Sequence, residues 1–224
     1  VCSWVATIIL QQSTPKLQAK AIRKFVTVAM QLFRMKNYSS TSQILAGIQH
    51  IAVDRLQKFR EFIPIKTQEQ LNELKQTFSP EDNYKNYRQL NFEPPCIRFL
   101  AVHQRDLRFI LDGNPKYLPS SNEHTRIYNF ERMLMLADIL YDTGTLNPIQ
   151  SYNYNLSKAK QIYTLFAKMS PLTEEQLYHL SITIEANRAH ESEEKERGDI
   201  FVRNPLFGST SLTKYLESEK IYGI

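Results

Sequence analysis

Apolar residues recur every three or four positions along most of the chain, a spacing that places them on one face of an α-helix. The clearest case covers residues 16 to 36, where the apolar positions are Ala21, Phe25, Val28, Ala29 and Phe33. A polar KNYSS segment follows, and a second helix of the same kind is indicated by Ile44, Leu45 and Ile48. Because their connection is short, the two helices are predicted to pack as antiparallel neighbours.

Capping signals indicate where several helices begin. Thr67 with Gln70, and Thr173 with Gln176, have the capping-box spacing, in which each side chain caps the backbone of the other residue. Ser79 stands directly before a proline, an order typical of the start of a helix. Since stretches of alternating polarity are few, the chain is predicted to form about nine helices in an all-α helical bundle.

The segment FLAVHQRDLRFILDGNP, residues 99 to 115, carries a narrow polar stripe. Gln104, Arg105, Arg108 and Asp112 lie three, four, seven and eleven positions after Ala101, so they share one side of a helix. The other positions are mostly apolar, and we expect the helix to be buried around most of its circumference. The stripe could be only a solvated strip with an ion pair between positions i and i+4, worth about a few tenths of a kcal/mol.

The composition favours the same helical class and gives the chain a positive net charge. The 224 residues are 42% hydrophobic, enough for a core, and include only 6 glycines beside 10 prolines. The formal net charge is +5, and Lys16, Lys20, Arg23 and Lys24 are spaced to share one helical face. This face is either a solvated surface or a contact for nucleic acid, an anionic leaflet or an acidic protein. Nucleic acid is disfavoured, because the sequence has no zinc-finger spacing, ribonucleoprotein motif or long basic run.

The sequence lacks the common motifs for covalent or cofactor chemistry. Its six glycines form neither GxxxxGK nor GxGxxG, and neither HExxH nor GxSxG occurs. The histidines and cysteines have no metal-ligand spacing, and Cys96, which follows two prolines, is expected to be buried rather than nucleophilic. We therefore expect no metal site, no cofactor and no covalent catalysis.

Five blocks of sequence follow one another in a characteristic order. They are KNYSSTSQILAGIQHIAVDRL at 36–56, NYKNYRQ at 83–89, PPCIRFLAVHQRDLRFILDGNP at 94–115, YNFERMLMLADIL at 128–140 and LYHLSITIE at 177–185. In this order and spacing the chain resembles the catalytic domain of Ras-family guanine-nucleotide exchange factors (RasGEF), from residue 1 to about residue 188. The resemblance implies an all-helical domain with a protruding catalytic hairpin, here residues 101–113 paired with 128–141. It also implies a protein that accelerates GDP release from a small GTPase without covalent chemistry.

The same resemblance implies which residues act on the GTPase. Catalytic roles are expected for Asp112, Arg108, Arg105 and Asn114. Contacts with the GTPase are expected for Phe99, Gln104, Tyr84, Asn83 and Gln49. The match is closest over residues 106 to 115, which carry the Asp-Leu-x-Phe and Gly-Asn-Pro pattern of exchangers for Ras and Rap proteins. A GTPase of the Ras or Rap type is therefore the expected partner.

Three positions depart from the family pattern. Asp112 stands where members often have Glu, the residue that by analogy hydrogen-bonds a hydroxyl of the phosphate loop in the emptied GTPase. Arg108 replaces a Leu or Thr close to the magnesium and phosphate position, and Arg98 replaces a common Pro. The changes at Arg108 and Asp112, together with a missing N-terminal part of the domain, leave open a second function, that of an inactive relative that binds a GTPase as a scaffold.

Residues 1–190 are expected to form the RasGEF-like domain without its N-terminal part, because the apolar pattern of the first helix begins with no N-cap residue before it. Residues 191–224 are expected to be a docked tail or the start of another module. No apolar run reaches the ~20 residues that span a bilayer. We expect a cytoplasmic monomer that can be recruited to a membrane surface, and a third candidate function is an adaptor for anionic membranes.

Overall fold

A computed structural model describes residues 1–119, 126–143, 154, 159–168 and 170–197. Within these ranges the α-helices are α1 (Cys2–Leu10), α2 (Pro15–Arg34), α3 (Tyr38–Ile48), α4 (Ile51–Asp54), α5 (Ile65–Thr77), α6 (Lys85–Arg88), α7 (Leu100–Gly113), α8 (Phe130–Asp142), α9 (Lys160–Lys168) and α10 (Glu174–Arg197). Short 3-10 turns cover Lys58–Phe62 and Glu81–Asn83, and the two strands are β1 (Tyr117–Leu118) and β2 (Ile127–Tyr128). The predicted all-α class is confirmed.

Helix α2 packs against several other elements of the bundle. Thr14 caps its first turn by accepting a hydrogen bond from the backbone N–H of Leu17 at 3.3 Å, and Pro15 occupies the first helical position. Its buried face includes Ile22, Phe25, Val26, Ala29 and Met30, and this face packs on α1, α3 and α5. The predicted helix over residues 16 to 36 and its pairing with the next helix are therefore confirmed.

Gly47 allows α1 and α3 to approach closely. A Cβ atom at this position would lie 2.6 Å from the Cβ of Val5 and 2.7 Å from the backbone oxygen of Cys2. Cβ atoms do not approach other heavy atoms this closely, so any larger residue would push the two helices apart. Val5 and Ile9 on α1 are fully buried, and the core of the bundle lies here.

The capping predictions had mixed outcomes. The box at Thr173 and Gln176 is confirmed, because each residue's backbone N–H donates to the other's side chain, at 2.9 and 3.3 Å. The box at Thr67 is wrong: α5 already begins at Ile65, directly after Pro64, and Thr67 is buried inside the helix. The Ser79 signal leads only into a 3-10 turn and the four-residue α6.

Helix α10 packs against the N-terminal part of the chain. Leu177 and Ser181 are fully buried, and α10 contacts α1 and α4. Arg55 donates to the hydroxyl of Ser181 at 3.1 Å and forms an ion pair with Glu185 at 3.2 Å. The helix continues past residue 190 as far as Arg197, while residues 198–224 lie outside the described part of the chain. The division into 1–190 and 191–224 stays a prediction.

A strap formed by residues 91–97 crosses the connection between α2 and α3. The backbone oxygen of Ile97 accepts from the N–H of Tyr38 at 2.8 Å, and the N–H of Ile97 donates to the oxygen of Lys36 at 2.9 Å. The hydroxyl of Tyr38 donates to the backbone oxygen of Asn91 at 3.0 Å. These bonds fix the strap at both ends, and the strap leads directly into Phe99 and α7.

Candidate functional site

Helices α7 and α8 form a hairpin. They pack on each other, and the chain between them pairs as a two-residue antiparallel ladder. In this ladder Tyr117 lies opposite Tyr128 and Leu118 opposite Ile127, with the two tyrosine rings 4.9 Å apart. The pairing that was predicted for residues 101–113 and 128–141 is therefore observed between these two helices.

Two asparagines hold the ends of the hairpin helices. Asn114 follows α7, and its amide Nδ2 donates to the backbone oxygen of Ile110 at 3.1 Å. Asn129 precedes α8: its Oδ1 accepts from the N–H of Arg132 and its Nδ2 donates to the oxygen of Pro115, both at 3.1 Å. Asn129 is buried, and sequence reasoning missed it although Asn is a favoured N-cap residue. The contacts of Asn114 in this structure are those of a helix terminator.

The hairpin exposes much more apolar surface than the sequence suggested. On α7, Leu100, Phe109 and Leu111 are 52%, 55% and 43% exposed, and the buried side chains are Val102 and His103 near its start. The expectation of burial around most of the helix was wrong. Its physical reason is that α7 packs mainly on one partner, α8, which covers a single side. The polar stripe is exposed as well, at Gln104, Arg105, Arg108 and Asp112. The stripe and the exposed apolar side chains beside it therefore form one solvent-exposed surface.

Arg108 and Asp112 pair with each other on this surface. The Nε atom of Arg108 donates to Oδ2 of Asp112 at 2.7 Å, one helical turn along α7. Both side chains are largely exposed, at 75% and 58%, so water screens the pair and its contribution to stability is small. In the isolated chain the Asp112 carboxylate is therefore already in contact with a cation.

Three of the predicted site residues meet at the start of the hairpin. The guanidinium carbon of Arg105 lies 5.8 Å from the ring centre of Tyr84 and 5.1 Å from that of Phe109. The ring of Tyr84 is in turn 6.0 Å from that of Phe99, in an edge-to-face arrangement. Cation–π and edge-to-face contacts of this kind fix orientation as well as position. Tyr84, Phe99 and Arg105 thus form one surface with the exposed face of α7.

The turn that carries Asn83 and Tyr84 has an unusual backbone. Asp82, Asn83 and Tyr84 have φ angles of 46°, 58° and 59°, in the left-handed region. Each such residue without the freedom of glycine costs about 1–2 kcal/mol, so neighbouring contacts must hold the turn in place. The turn projects Asn83 into solvent beside Tyr84, next to the hairpin.

Arg88 provides those contacts. Its Nε donates to the backbone oxygen of Asn83 at 2.8 Å, and its two terminal nitrogens bind both carboxylate oxygens of Asp106 on α7, at 2.6 and 2.9 Å. The hydrogen bond to Asp106 raises the pKa of the guanidinium above its ordinary value. Arg88 therefore links the strained turn to the hairpin. The sequence offered only a family match at these two positions, since the pair is separated by 18 residues.

The resemblance to exchange factors predicts that removing this link impairs nucleotide exchange. In Arg88→Gln the turn loses its bonds and Asp106 loses a bidentate partner, so we expect exchange to slow by roughly tenfold through misplaced contacts. Arg88→Lys should not restore the rate, because an ammonium group cannot form the bidentate pair. Stopped-flow release of a fluorescent GDP analogue from a Ras or Rap protein measures the effect.

Arg60→Gln is the matched control for this experiment. Arg60 forms an ion pair of similar length, 2.7 Å to Asp54, in the 3-10 turn that packs on α2. Its loss should leave the exchange rate within about twofold of the parent, as for a surface pair away from the site. Parent-like exchange in Arg88→Gln would contradict the positioning role of Arg88.

Tyr87 holds the start of α7 through buried contacts. It is 1% exposed, and its hydroxyl accepts a hydrogen bond from the N–H of Phe99 at 2.8 Å. The Nε2 atom of His103 lies 3.5 Å from the same hydroxyl. Burial raises the pKa of Tyr87 and lowers the pKa of His103, so both groups are neutral near pH 7. An unprotonated Nε2 atom of His103 can then accept a long hydrogen bond from the Tyr87 hydroxyl.

Gln49 is not brought together with the other predicted site residues. It ends α3, whereas Asn37 at the start of the same helix lies against Ile97, close to the hairpin. Over eleven residues an α-helix advances about 16 Å, so Gln49 lies at the far end of α3 from the strap. Its assignment as a GTPase contact stays a prediction.

Cys96 is buried, as predicted. Desolvation raises the pKa of its thiol, which therefore remains protonated and unreactive near neutral pH. The departure at Arg98 also has an explanation, because its guanidinium stacks 4.5 Å from the ring centre of Phe92 in the strap. Among the residues that the structure describes, no group of three His, Cys, Asp or Glu side chains could hold a metal ion.

None of the helices in the described ranges is both long and apolar enough to cross a bilayer.

Comparison with known proteins assigns the family. The family model for the RasGEF domain matches residues 1–134, which include α1 to α7 and the first turn of α8. The chain belongs to the RasGEF family. The family match therefore covers the strap, the turn at Asn83 and the first helix of the hairpin, where the candidate site residues other than Gln49 lie.

Several relatives come from Dictyostelium discoideum. The chain is 34% identical to Ras guanine nucleotide exchange factor Q over 187 residues, which is 83% of this chain and 14% of the relative. It is 29% identical to Ras guanine nucleotide exchange factor K over 193 residues, covering 85% of this chain and 12% of the relative. The chain thus spans about one eighth of the length of these relatives.

Proposed function

We propose that this protein is a guanine-nucleotide exchange factor for a small GTPase of the Ras or Rap type. The single observation that carries the proposal is the hairpin, whose first helix presents an exposed polar stripe flanked by exposed apolar side chains in a member of the RasGEF family. A surface with this mixture of side chains is typical of a protein-binding site. The protein acts without a cofactor and as a cytoplasmic monomer.

An exchange factor of this kind must weaken the binding of the nucleotide to the GTPase. A GTPase that binds its nucleotide with picomolar affinity holds it with about 16 kcal/mol, too tightly for fast spontaneous release. A protein that binds the empty GTPase more strongly than the loaded form must, by linkage, weaken nucleotide binding by the same free energy. The binding energy of the hairpin surface is therefore the source of catalysis.

Asp112 is the residue proposed to replace the nucleotide phosphates. Its carboxylate is an acceptor that can take hydrogen bonds from phosphate-loop groups once the phosphates have left. Gln104, Arg105 and Arg108 share its stripe and would enter the same site beside the switch I region, displacing magnesium. Phe99, Tyr84 and Asn83 would contact the GTPase next to the stripe, where their contacts with Arg105 and Arg88 orient them.

The contact between Arg108 and Asp112 supports a second candidate function. If the carboxylate remains bound to Arg108, the hairpin could bind a GTPase without expelling its nucleotide, and the protein would be a scaffold. Loading Ras and Rap proteins with fluorescent GDP and measuring its release separates the two functions. Accelerated release supports the exchanger, whereas stable binding without acceleration supports the scaffold.

Arg108→Leu tests how the cation affects Asp112. Leucine removes the hydrogen bond at 2.7 Å and frees the carboxylate for the GTPase, so exchange should stay at the parent rate or rise, by up to about fivefold. The melting temperature should hardly change, because both side chains are exposed. A large loss of exchange in this variant would instead assign Arg108 a direct contact with the GTPase.

A further inference from the structure

A second surface with a distinct chemistry lies at the N-terminal half of α2. A shallow groove with a volume of about 350 Å³ is lined by Lys16, Leu17, Lys20, Arg23, Phe62 and Pro64. These residues come from different parts of the chain, since Phe62 ends the 3-10 turn that packs on α2 and Pro64 directly precedes α5. We call these six residues the basic groove.

The basic groove contains three cationic side chains, Lys16, Lys20 and Arg23. Within the described part of the chain, no acidic side chain forms an ion pair with Lys16, Lys20 or Arg23. The sequence reinforces this imbalance, because the first acidic residue of the chain is Asp54. The lysines and arginines before it are Lys16, Lys20, Arg23, Lys24, Arg34 and Lys36. Half of these cations line the groove.

Exposed apolar side chains lie beside these cations. Phe62, which lines the basic groove, is 49% exposed, and Ile65, at the start of α5, is 75% exposed. Cations next to exposed apolar side chains are the combination that binds the interface of an anionic bilayer, where the charges meet headgroups and the apolar groups enter the acyl boundary. A soluble phosphate would gain nothing from Phe62 or Ile65.

The basic groove is also well separated from the hairpin. Lys16 lies in the first turn of α2, whereas the strap that leads to the hairpin is bound just beyond the other end of this helix, at Lys36. The 20 residues of α2 extend over about 30 Å, so a partner at one end does not obstruct the other.

We propose that the basic groove docks the protein on an anionic phospholipid surface. Lys16, Lys20 and Arg23 contact the headgroups, and Phe62 with Ile65 enters the interface. The site is independent of nucleotide exchange, since it uses none of the residues assigned to the GTPase.

Vesicle sedimentation with the 224-residue chain tests the proposal in the absence of any GTPase. The chain should bind vesicles of phosphatidylcholine with phosphatidylserine, and much less those of phosphatidylcholine alone. The variant with Lys16, Lys20 and Arg23 all changed to Gln should partition at least about tenfold less, because each cation near the leaflet adds to the attraction. Binding should also weaken at high salt.

A control of equal charge carries Lys75, Lys85 and Lys168 changed to Gln, three lysines on other helices. It should bind like the parent, and an equal loss in both triple variants would overturn the basic groove as the site. Equal binding to both kinds of vesicle would overturn the requirement for anionic lipid.

The double variant Phe62→Ser with Ile65→Ser distinguishes a lipid surface from a soluble anion. It should bind anionic vesicles about three- to tenfold less tightly, because its apolar contacts are lost while its charge is unchanged. Parent-like vesicle binding by this variant, together with equally tight binding of soluble glycerophosphoserine, would overturn the lipid surface as the ligand. Exchange measured in solution should be unaffected, so failure here is distinct from failure of the exchange function.

Discussion

Asp112→Ala is expected to slow nucleotide exchange by about ten- to a hundredfold. The proposed role of its carboxylate is to accept charge-assisted hydrogen bonds from the phosphate loop of the emptied GTPase, and leaving them unmade costs roughly 1.5 to 3 kcal/mol. Asp112→Asn should give an intermediate rate, because the amide keeps one acceptor but loses the charge. Release of a fluorescent GDP analogue from Ras and Rap proteins measures all three rates.

Folding should be almost unaffected by this change. Asp112 is 58% exposed, and its pair with Arg108 is a surface contact within one helix, so the melting temperature should stay near that of the parent. Glu69→Ala on α5 is the matched control, because it removes an exposed carboxylate away from the hairpin. Parent-like exchange in Asp112→Ala with an unchanged melting temperature would show that the stripe is only a solvated face of α7.

Tyr87→Ala is expected to cause the largest loss of stability. The side chain is almost fully buried, and its ring contacts Tyr38, Phe78, Phe92 and Phe99, with centres 5.2 to 6.0 Å away. Truncating a large buried aromatic residue costs about 3–5 kcal/mol through lost transfer energy and the remaining cavity. Urea unfolding monitored by circular dichroism measures the change in the free energy of unfolding.

Tyr87→Phe separates the hydroxyl from the ring. It keeps the packing but leaves the N–H of Phe99 without its acceptor at 2.8 Å, which should cost about 1–3 kcal/mol. Tyr141→Phe is the control, since Tyr141 is 71% exposed and the loss of its hydroxyl leaves no buried group without a hydrogen bond. If Tyr87→Phe is as stable as Tyr141→Phe, the bond to Phe99 does not hold the start of α7.

Two asparagines in the family sequence blocks lie at the ends of helices. Asn37 accepts a hydrogen bond from the N–H of Ser40 at 3.0 Å and so caps α3, while Asn114 terminates α7. Asn114 remains a proposed catalytic residue whose observed bonds position the end of the stripe.

Local pattern was sufficient to predict the helical class, the extent of α2 and the capping box at Thr173. These features depend on residues within about four positions of one another, where helix geometry alone decides which side chains meet. The polar stripe on α7 was predictable for the same reason. The blocks of family sequence then added the hairpin, which periodicity alone could not distinguish from a buried helix.

The exposure of Leu100, Phe109 and Leu111 could not be predicted in this way, because an apolar side chain is buried only if another element covers it. The bonds between Arg88 and Asp106, and between Tyr87 and Phe99, join residues that are 18 and 12 positions apart. The left-handed turn at Tyr84 persists because Arg88 holds its neighbour. Contacts at such separations depend on how the helices pack. This packing decides which side of α7 is exposed and how the side chains next to it are oriented.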